Sequence, residues 1–250
     1  MANETYKKNP KFMSPKGTAV YPKLTEPDYG TAEYPKPDGE YSVKLRMSKD
    51  EAEAFLDTKG SDGRTLRQVH EEAVEAAQVE FDKLDMAKKK KLEKQDIKGP
   101  KAHPIYSEVL DKETGEETGD VEFKFKKKAS GVRKKDNKKW TAKPDLFDAK
   151  GNKLGKGVSI WGGSTLKVNF EASNFLVNGS WLVGLTLFLN AAQVIDLVSN
   201  GQRDASGYGF EAEEGYEYDP EDYREEDNSS SEGGSEGNDD NGPADGDEDF

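Results

Sequence analysis

The last forty residues limit what this chain can fold into. Glu211 to Phe250 hold eighteen Asp and Glu against one basic residue, Arg224, a charge of −17. A segment so charged and so poor in apolar residues cannot bury enough surface to offset its ordering entropy. It is expected to be disordered. The whole chain carries −13, so residues 1 to 210 carry +4. The net acidity thus conceals a mildly basic body. The tail closes on Asp245, Asp247, Glu248, Asp249 and Phe250. Two readings fit this ending. One is a solubilising tail that ends by chance in an aromatic. The other is a docking peptide, with acids for attraction and Phe250 with its carboxylate as the anchor.

Residues 1 to 210 are enough for one domain with a real core. The chain has no cysteine, which excludes disulfides and thiolate sites. With only His70 and His103, a zinc site is not expected. No apolar run reaches the roughly 18 residues of a membrane span. Met1 to Lys8 lack the apolar stretch of a signal peptide. A soluble intracellular protein without a membrane partner is the expectation. Gly162-Gly163-Ser164 lacks the Gly-Lys-Ser/Thr context of a triphosphate loop. There is no Gly-x-Ser-x-Gly elbow and no cysteine nucleophile. Neither an enzyme nor a bound cofactor or metal is expected.

The prolines of residues 1 to 37 argue for a loop-rich entry with one short strand near Thr18 to Tyr21. Tyr41, Val43, Leu45 and Met47 alternate with Ser42, Lys44 and Arg46, the pattern of a half-buried strand with a basic outer face. Ser48-x-x-Glu51 and Thr65-x-x-Gln68 are capping boxes. The first predicts a short helix from Lys49 to about Asp57. The second predicts the longest helix, because Leu66, Val69, Ala73, Ala77, Phe81 and Leu84 recur at helical spacing; it should reach about Glu93. His70 beside that stripe reads as a packed or surface histidine. Further strands are expected at Ile105 to Leu110, Val121 to Lys128, Val158 to Gly163 and Thr165 to Phe170. Trp181 to Leu189, apolar on both faces, reads as a buried strand, and Ala191 to Val198 as the last one. This order suggests a small, mostly antiparallel barrel with a helical insertion.

The functional signal lies between Phe123 and Lys167. From Lys124 to Lys156 there are thirteen basic residues and three acidic ones. Lys124, Lys126 and Lys128 on one strand face form a row of ammonium groups at about 7 Å spacing. This approaches the phosphate spacing of an extended single strand. Aromatics beside such a row can stack unpaired bases, worth roughly 1–3 kcal/mol per base. Trp140 and Trp161 are the candidate platforms, with Tyr106 and Phe175 as weaker ones. Phe123 and Phe125 belong to the core. Trp161 fits core or surface. The run that includes Arg133, Lys134, Lys135, Lys138 and Lys139 fits either a DNA contact or a solvated loop.

Several stretches stand in a telling order: Ser14 to Ala19, Lys23 to Gly30, Gly39 to Leu45, Phe123 to Lys126, Asp148 to Lys153 and Ile160 to Phe170, followed by the acidic tail that ends in Phe250. Together they resemble the single-stranded DNA-binding protein of short-tailed bacteriophages. The resemblance implies a five-stranded OB-fold barrel with an inserted helix over residues 1 to 210, and a disordered tail over 211 to 250. It implies binding of single-stranded DNA in replication, recombination, repair and strand annealing, in the cytoplasm of an infected bacterium. It implies a homodimer whose tail touches the phage DNA polymerase and helicase-primase and competes with DNA for the basic cleft. By position, Lys124, Lys126, Lys167, Phe175 and Tyr106 fall in the implied cleft. Asn169 is neutral where a cation would help, and the basic loop from Lys127 to Lys139 could redistribute contacts. The competing expectation is an acidic-tailed interaction or chaperone protein that does not bind DNA. Binding of structured RNA is a third.

Overall fold

The computed structural model describes residues 9–155 and 157–198. The first half of the chain forms β1 (Lys11–Met13), β2 (Gly17–Gly30), β3 (Pro35–Ser48), α1 (Lys49–Leu56), α2 (Leu66–Asp82) and α3 (Met86–Glu93). Then come β4 (Lys101–Ala102), β5 (Ser107–Leu110), β6 (Glu117–Lys128), β7 (Ser130–Val132), β8 (Lys139–Thr141) and β9 (Asp145–Phe147). The long strands β10 (Thr165–Val177) and β11 (Leu182–Asp196) follow.

Five strands close a barrel in the order β2, β3, β6, β11, β10 and back to β2. Alternation drives this closure. Val43 and Leu45 pair with Phe125 and Phe123 across the β3–β6 ladder, and all four side chains point inward and are buried. Leu166, Val168 and Phe170 fill the same interior from β10. An aromatic cluster knits the barrel together, with Phe125 against Phe170 at 4.9 Å and Phe55 against Phe123 at 5.4 Å. Phe55 comes from α1, which closes one end of the barrel. α2 lies against β10 and β11 through Leu66, Val69, Ala73, Ala77 and Phe81. Both predicted capping boxes form, at Ser48 and at Thr65.

Six expectations need correction. The barrel is not wholly antiparallel: β11 runs parallel to β6, and outside the barrel also to β4 and β9. Antiparallel pairing follows from short turns, but β6 and β11 are joined by a long excursion that returns in the same direction. The long helix ends at Asp82, because Asp85 caps a separate helix, its Oδ1 accepting from Lys88 N at 2.8 Å. Trp181 lies outside the strand. It sits in the β10–β11 turn with φ 52°, buried edge-on against Phe81 at 4.9 Å. The two expected strands, Trp181 to Leu189 and Ala191 to Val198, merge into the single strand β11 from Leu182 to Asp196, with a bulge between Asn169 and Phe170 on its partner. Residues 158–161 form no strand and lead into a turn at Gly162 and Gly163, and β2 extends to Gly30 through Pro22 and Pro27 at irregular register, where a ladder tolerates proline.

Candidate nucleic-acid interface

The outer face of the β3–β6 ladder carries charge because the inner face takes every apolar residue. Register places Lys44 opposite Lys124, Ser42 opposite Lys126, Glu40 opposite Lys128 and Arg46 opposite Glu122. Their environments differ. Lys44 Nζ donates to Glu122 Oε2 at 2.9 Å, and Arg46 Nη2 donates to Glu122 Oε1 at 2.7 Å. Burial pushes the Glu122 carboxyl up, but these hydrogen bonds outweigh it and hold the group below the usual carboxylate range. Lys128 pairs with Asp38 at 2.8 Å. Among the described residues, Lys124 and Lys126 make no ion pair, so their ammonium groups remain available for an anion.

Register extends this face across the barrel. Lys23 of β2 sits opposite Ser42, Ser42 opposite Lys126, and Lys126 opposite Phe188 of β11. Phe188 is 40% exposed, although its neighbours Leu187 and Leu189 are buried. An exposed phenyl ring one strand from an unpaired lysine suits base stacking beside phosphate neutralisation. Phe188 was missed in sequence because Trp181 to Leu189 reads as apolar on both faces. The cue was the alternation Val183, Leu187, Leu189 against Gly184, Thr186, Phe188.

The other expected site residues are dispersed. Lys167 lies on β10 opposite Gln193, without an ion pair among the described residues, and four residues from Glu171, the partner of Phe188. That separation is about 13 Å. Phe175 lies a similar distance the other way. Its half-buried ring covers Gly184, where a Cβ would come within 2.9 Å of it, and stands edge-on to His103 at 6.0 Å. Tyr106 is engaged by the core: its ring packs edge-on to Phe123 at 5.5 Å and its hydroxyl donates to Glu53 at 2.6 Å. Trp140, Arg133 and Lys134 belong to the β7–β8 hairpin, a separate two-stranded sheet. There the Trp140 ring covers Gly131, and a Cβ at that glycine would fall 2.7 Å from it. Arg133 pairs with Asp136 at 3.5 Å, and Lys134 is exposed. Trp161 is 44% exposed and lines a groove with Tyr21 at the edge of β2. His70 is packed: its Nε2 meets His103 O at 2.9 Å, and burial holds its pKa below the ordinary value. Asp245, Asp247, Glu248, Asp249 and Phe250 lie outside the described residues. Among the described residues no helix is long and apolar enough to cross a membrane.

The chain as a whole is similar to known proteins. Over 210 residues the chain is 29% identical to the single-stranded DNA-binding protein of Enterobacteria phage T3, covering 82% of this chain and 83% of the relative. Its fold matches the crystal structure of gp2.5, a single-stranded DNA-binding protein encoded by bacteriophage T7. The TM-score is 0.55 at 25% identity, over 85% of this chain and 100% of the other. The family model described as single-stranded DNA-binding protein, bacteriophage T7, matches residues 16–197. That span holds the whole barrel with its helices, and the chain belongs to this family.

Proposed function

We propose that this chain is a non-enzymatic protein that binds single-stranded DNA with little regard to sequence, in viral DNA replication, recombination and strand annealing. The observation that carries this reading is the row Ser42, Lys126, Phe188 with Lys124 beside it, two unpaired lysines next to an exposed ring. Lysines neutralise phosphates and release counterions, while rings stack bases. Lys44, Lys167 and Phe175 flank the row and extend the contact surface. Names of the family and of its phage T3 relative support the same reading.

The tail has its own part in the proposal. At −17 it imitates a nucleic acid and occupies the basic face in cis. Long DNA displaces it and frees Phe250, with Asp245, Asp247, Glu248 and Asp249, to dock a replication protein such as the phage DNA polymerase or helicase-primase. The protein acts as a homodimer in the cytoplasm of the infected bacterium. Segregation of charge between body and tail supports this part.

Fluorescent oligo-dT binding by the full chain and by residues 1–210, across a salt series, tests both parts. The expected result is steep salt dependence for both and tighter binding by the truncation at low salt. Equal affinities would remove the cis competition. No binding by either would favour the tail as a protein-docking segment on a body that does not meet DNA.

A further inference from the structure

We infer that the groove between Tyr21 and Trp161 receives one unpaired base of the bound strand, which extends the DNA path to the β2 edge of the barrel. This rests on the DNA-binding reading above.

Tyr21 is 74% exposed and takes φ 48°. A left-handed backbone is sparsely populated by bulky residues, and such outliers persist where the surrounding structure enforces them and cluster at functional sites. Here a register break between Val20 and Lys23 lifts Tyr21 out of the β2–β3 ladder. Across from it stands Trp161, on a turn that is stitched to β2. Gly163 N donates to Ala19 O at 2.9 Å, and Ala19 N donates to Ser164 O at 2.7 Å. Trp161 N donates to Val198 O at 3.1 Å, which holds the start of the turn to the chain two residues past the end of β11. The two aromatics are therefore carried by backbone segments that hydrogen-bond each other, two residues from Tyr21 on one side. Such preorganisation lowers the ordering cost of binding.

Together with Pro22, Lys23, Thr25 and Ser159 they line a groove of about 440 Å³. That volume is typical of clefts for small planar ligands. Neither ring packs on another aromatic ring among the described residues, and both present exposed ring surface to the groove. Glu26 also lines the groove. Its charge disfavours a phosphate inside and leaves a neutral base as the fitting occupant.

Position ties the groove to the basic face. Lys23, on its wall, is also the first residue of the row that continues through Ser42 and Lys126 to Phe188. Three strand spacings separate Lys23 from Phe188, about 14 Å. A strand crossing the barrel perpendicular to its β-strands would meet Phe188 at one end and the Tyr21–Trp161 groove at the other. Lys126 and Lys23 would meet its phosphates between them.

The test is titration of the full chain and of its Tyr21→Ala, Trp161→Ala, Tyr21→Phe and Trp161→Phe variants with fluorescent oligo-dT from about 2 to about 16 nucleotides, the shortest spanning only about 7 Å between phosphates and the longest the upper OB-fold site size. The Ala variants should bind the long oligonucleotides about tenfold more weakly than the unchanged chain. They should match it on the shortest, which do not reach the groove, and the Phe variants should retain binding because they keep a ring. Unchanged binding of the long oligonucleotides by both Ala variants would overturn the inference. So would a loss equal at every length, which would mark an indirect effect on the fold. Failure of the unchanged chain to bind at any length would instead sink the DNA-binding reading itself.

Discussion

Two neighbouring segments carry the lysines of this molecule in different ways. β6 holds Lys124 and Lys126 over Phe123 and Phe125, which are buried without exposure. Its ladders to β3 and β11 fix where each lysine stands. The β7–β8 hairpin that follows holds a denser cluster, with Lys134, Lys135, Lys138 and Lys139 all exposed at the tip of a two-stranded ribbon. Among the described residues the hairpin tip is exposed throughout, and its base hangs on β3 through Ala129 N to Gly39 O at 2.9 Å and Ser130 Oγ to Asp38 O at 2.8 Å. Charge density is higher on the hairpin, but positional order is higher on β6. A phosphate chain with a regular repeat gains most from cations that are already spaced, because less side-chain and loop entropy is lost on binding.

The sharpest way to break this comparison is charge reversal on β6. Lys124→Glu with Lys126→Glu should weaken oligo-dT binding at low salt by roughly 100-fold or more. Circular dichroism melts should change little, since both side chains point outward and neither has an ion pair among the described residues to lose. A loss under threefold would place the binding surface elsewhere. Phe188→Ala comes next, with a loss of about tenfold in affinity measured by the same titration, the stacking of one base. By contrast Phe123→Ala should cost about 3–5 kcal/mol of folding stability in a urea melt, because that ring is core.

Glu122→Gln should have a smaller effect of opposite sign. It leaves Lys44 and Arg46 without their carboxylate, so oligo-dT affinity should rise by roughly threefold, with a steeper salt dependence. The same residue sets a pH dependence. Its folded carboxyl lies below the usual range, so its contribution to stability is fully present above the unfolded value near ~4.3 and fades as pH falls through the lower folded value. Acid melts of the unchanged chain should lose more stability below about pH 4.3 than those of Glu122→Gln.

How much of this was legible in sequence follows the same division. Strict alternation gave the inward and outward residues of β3 from Tyr41 and of β6 from Val121, since a period of two has one solution when one face is wholly apolar, but not their earlier starts at Pro35 and Glu117. Both capping boxes announced their helices for the same local reason. What failed was information that needs a second strand. No feature of Leu182 to Asp196 alone says that it runs parallel to β6. With apolar residues on both faces from Trp181 to Leu189, its outward Phe188 looked buried. Leu84 continued the helical period past a break that Asp85 imposes through its side chain. Of the expected site residues, Lys124 and Lys126 stand together as the spacing implied. Tyr106 and Phe175, expected from ring type and from their position in the resemblance, are held against the core and against Gly184. Composition could see the hairpin's charge but not the exposure of its tip.

The salt dependence of oligo-dT binding compares the two segments most directly. For single strands the slope of log affinity against log salt is about −0.7 per phosphate neutralised. Lys124→Ala with Lys126→Ala should make the slope shallower by about 1.4, whereas Lys134, Lys135, Lys138 and Lys139 all changed to Ala should leave it nearly unchanged. If the hairpin variant flattened the slope and the β6 variant kept it, the hairpin would be the DNA contact and the ordered face of β6 would not.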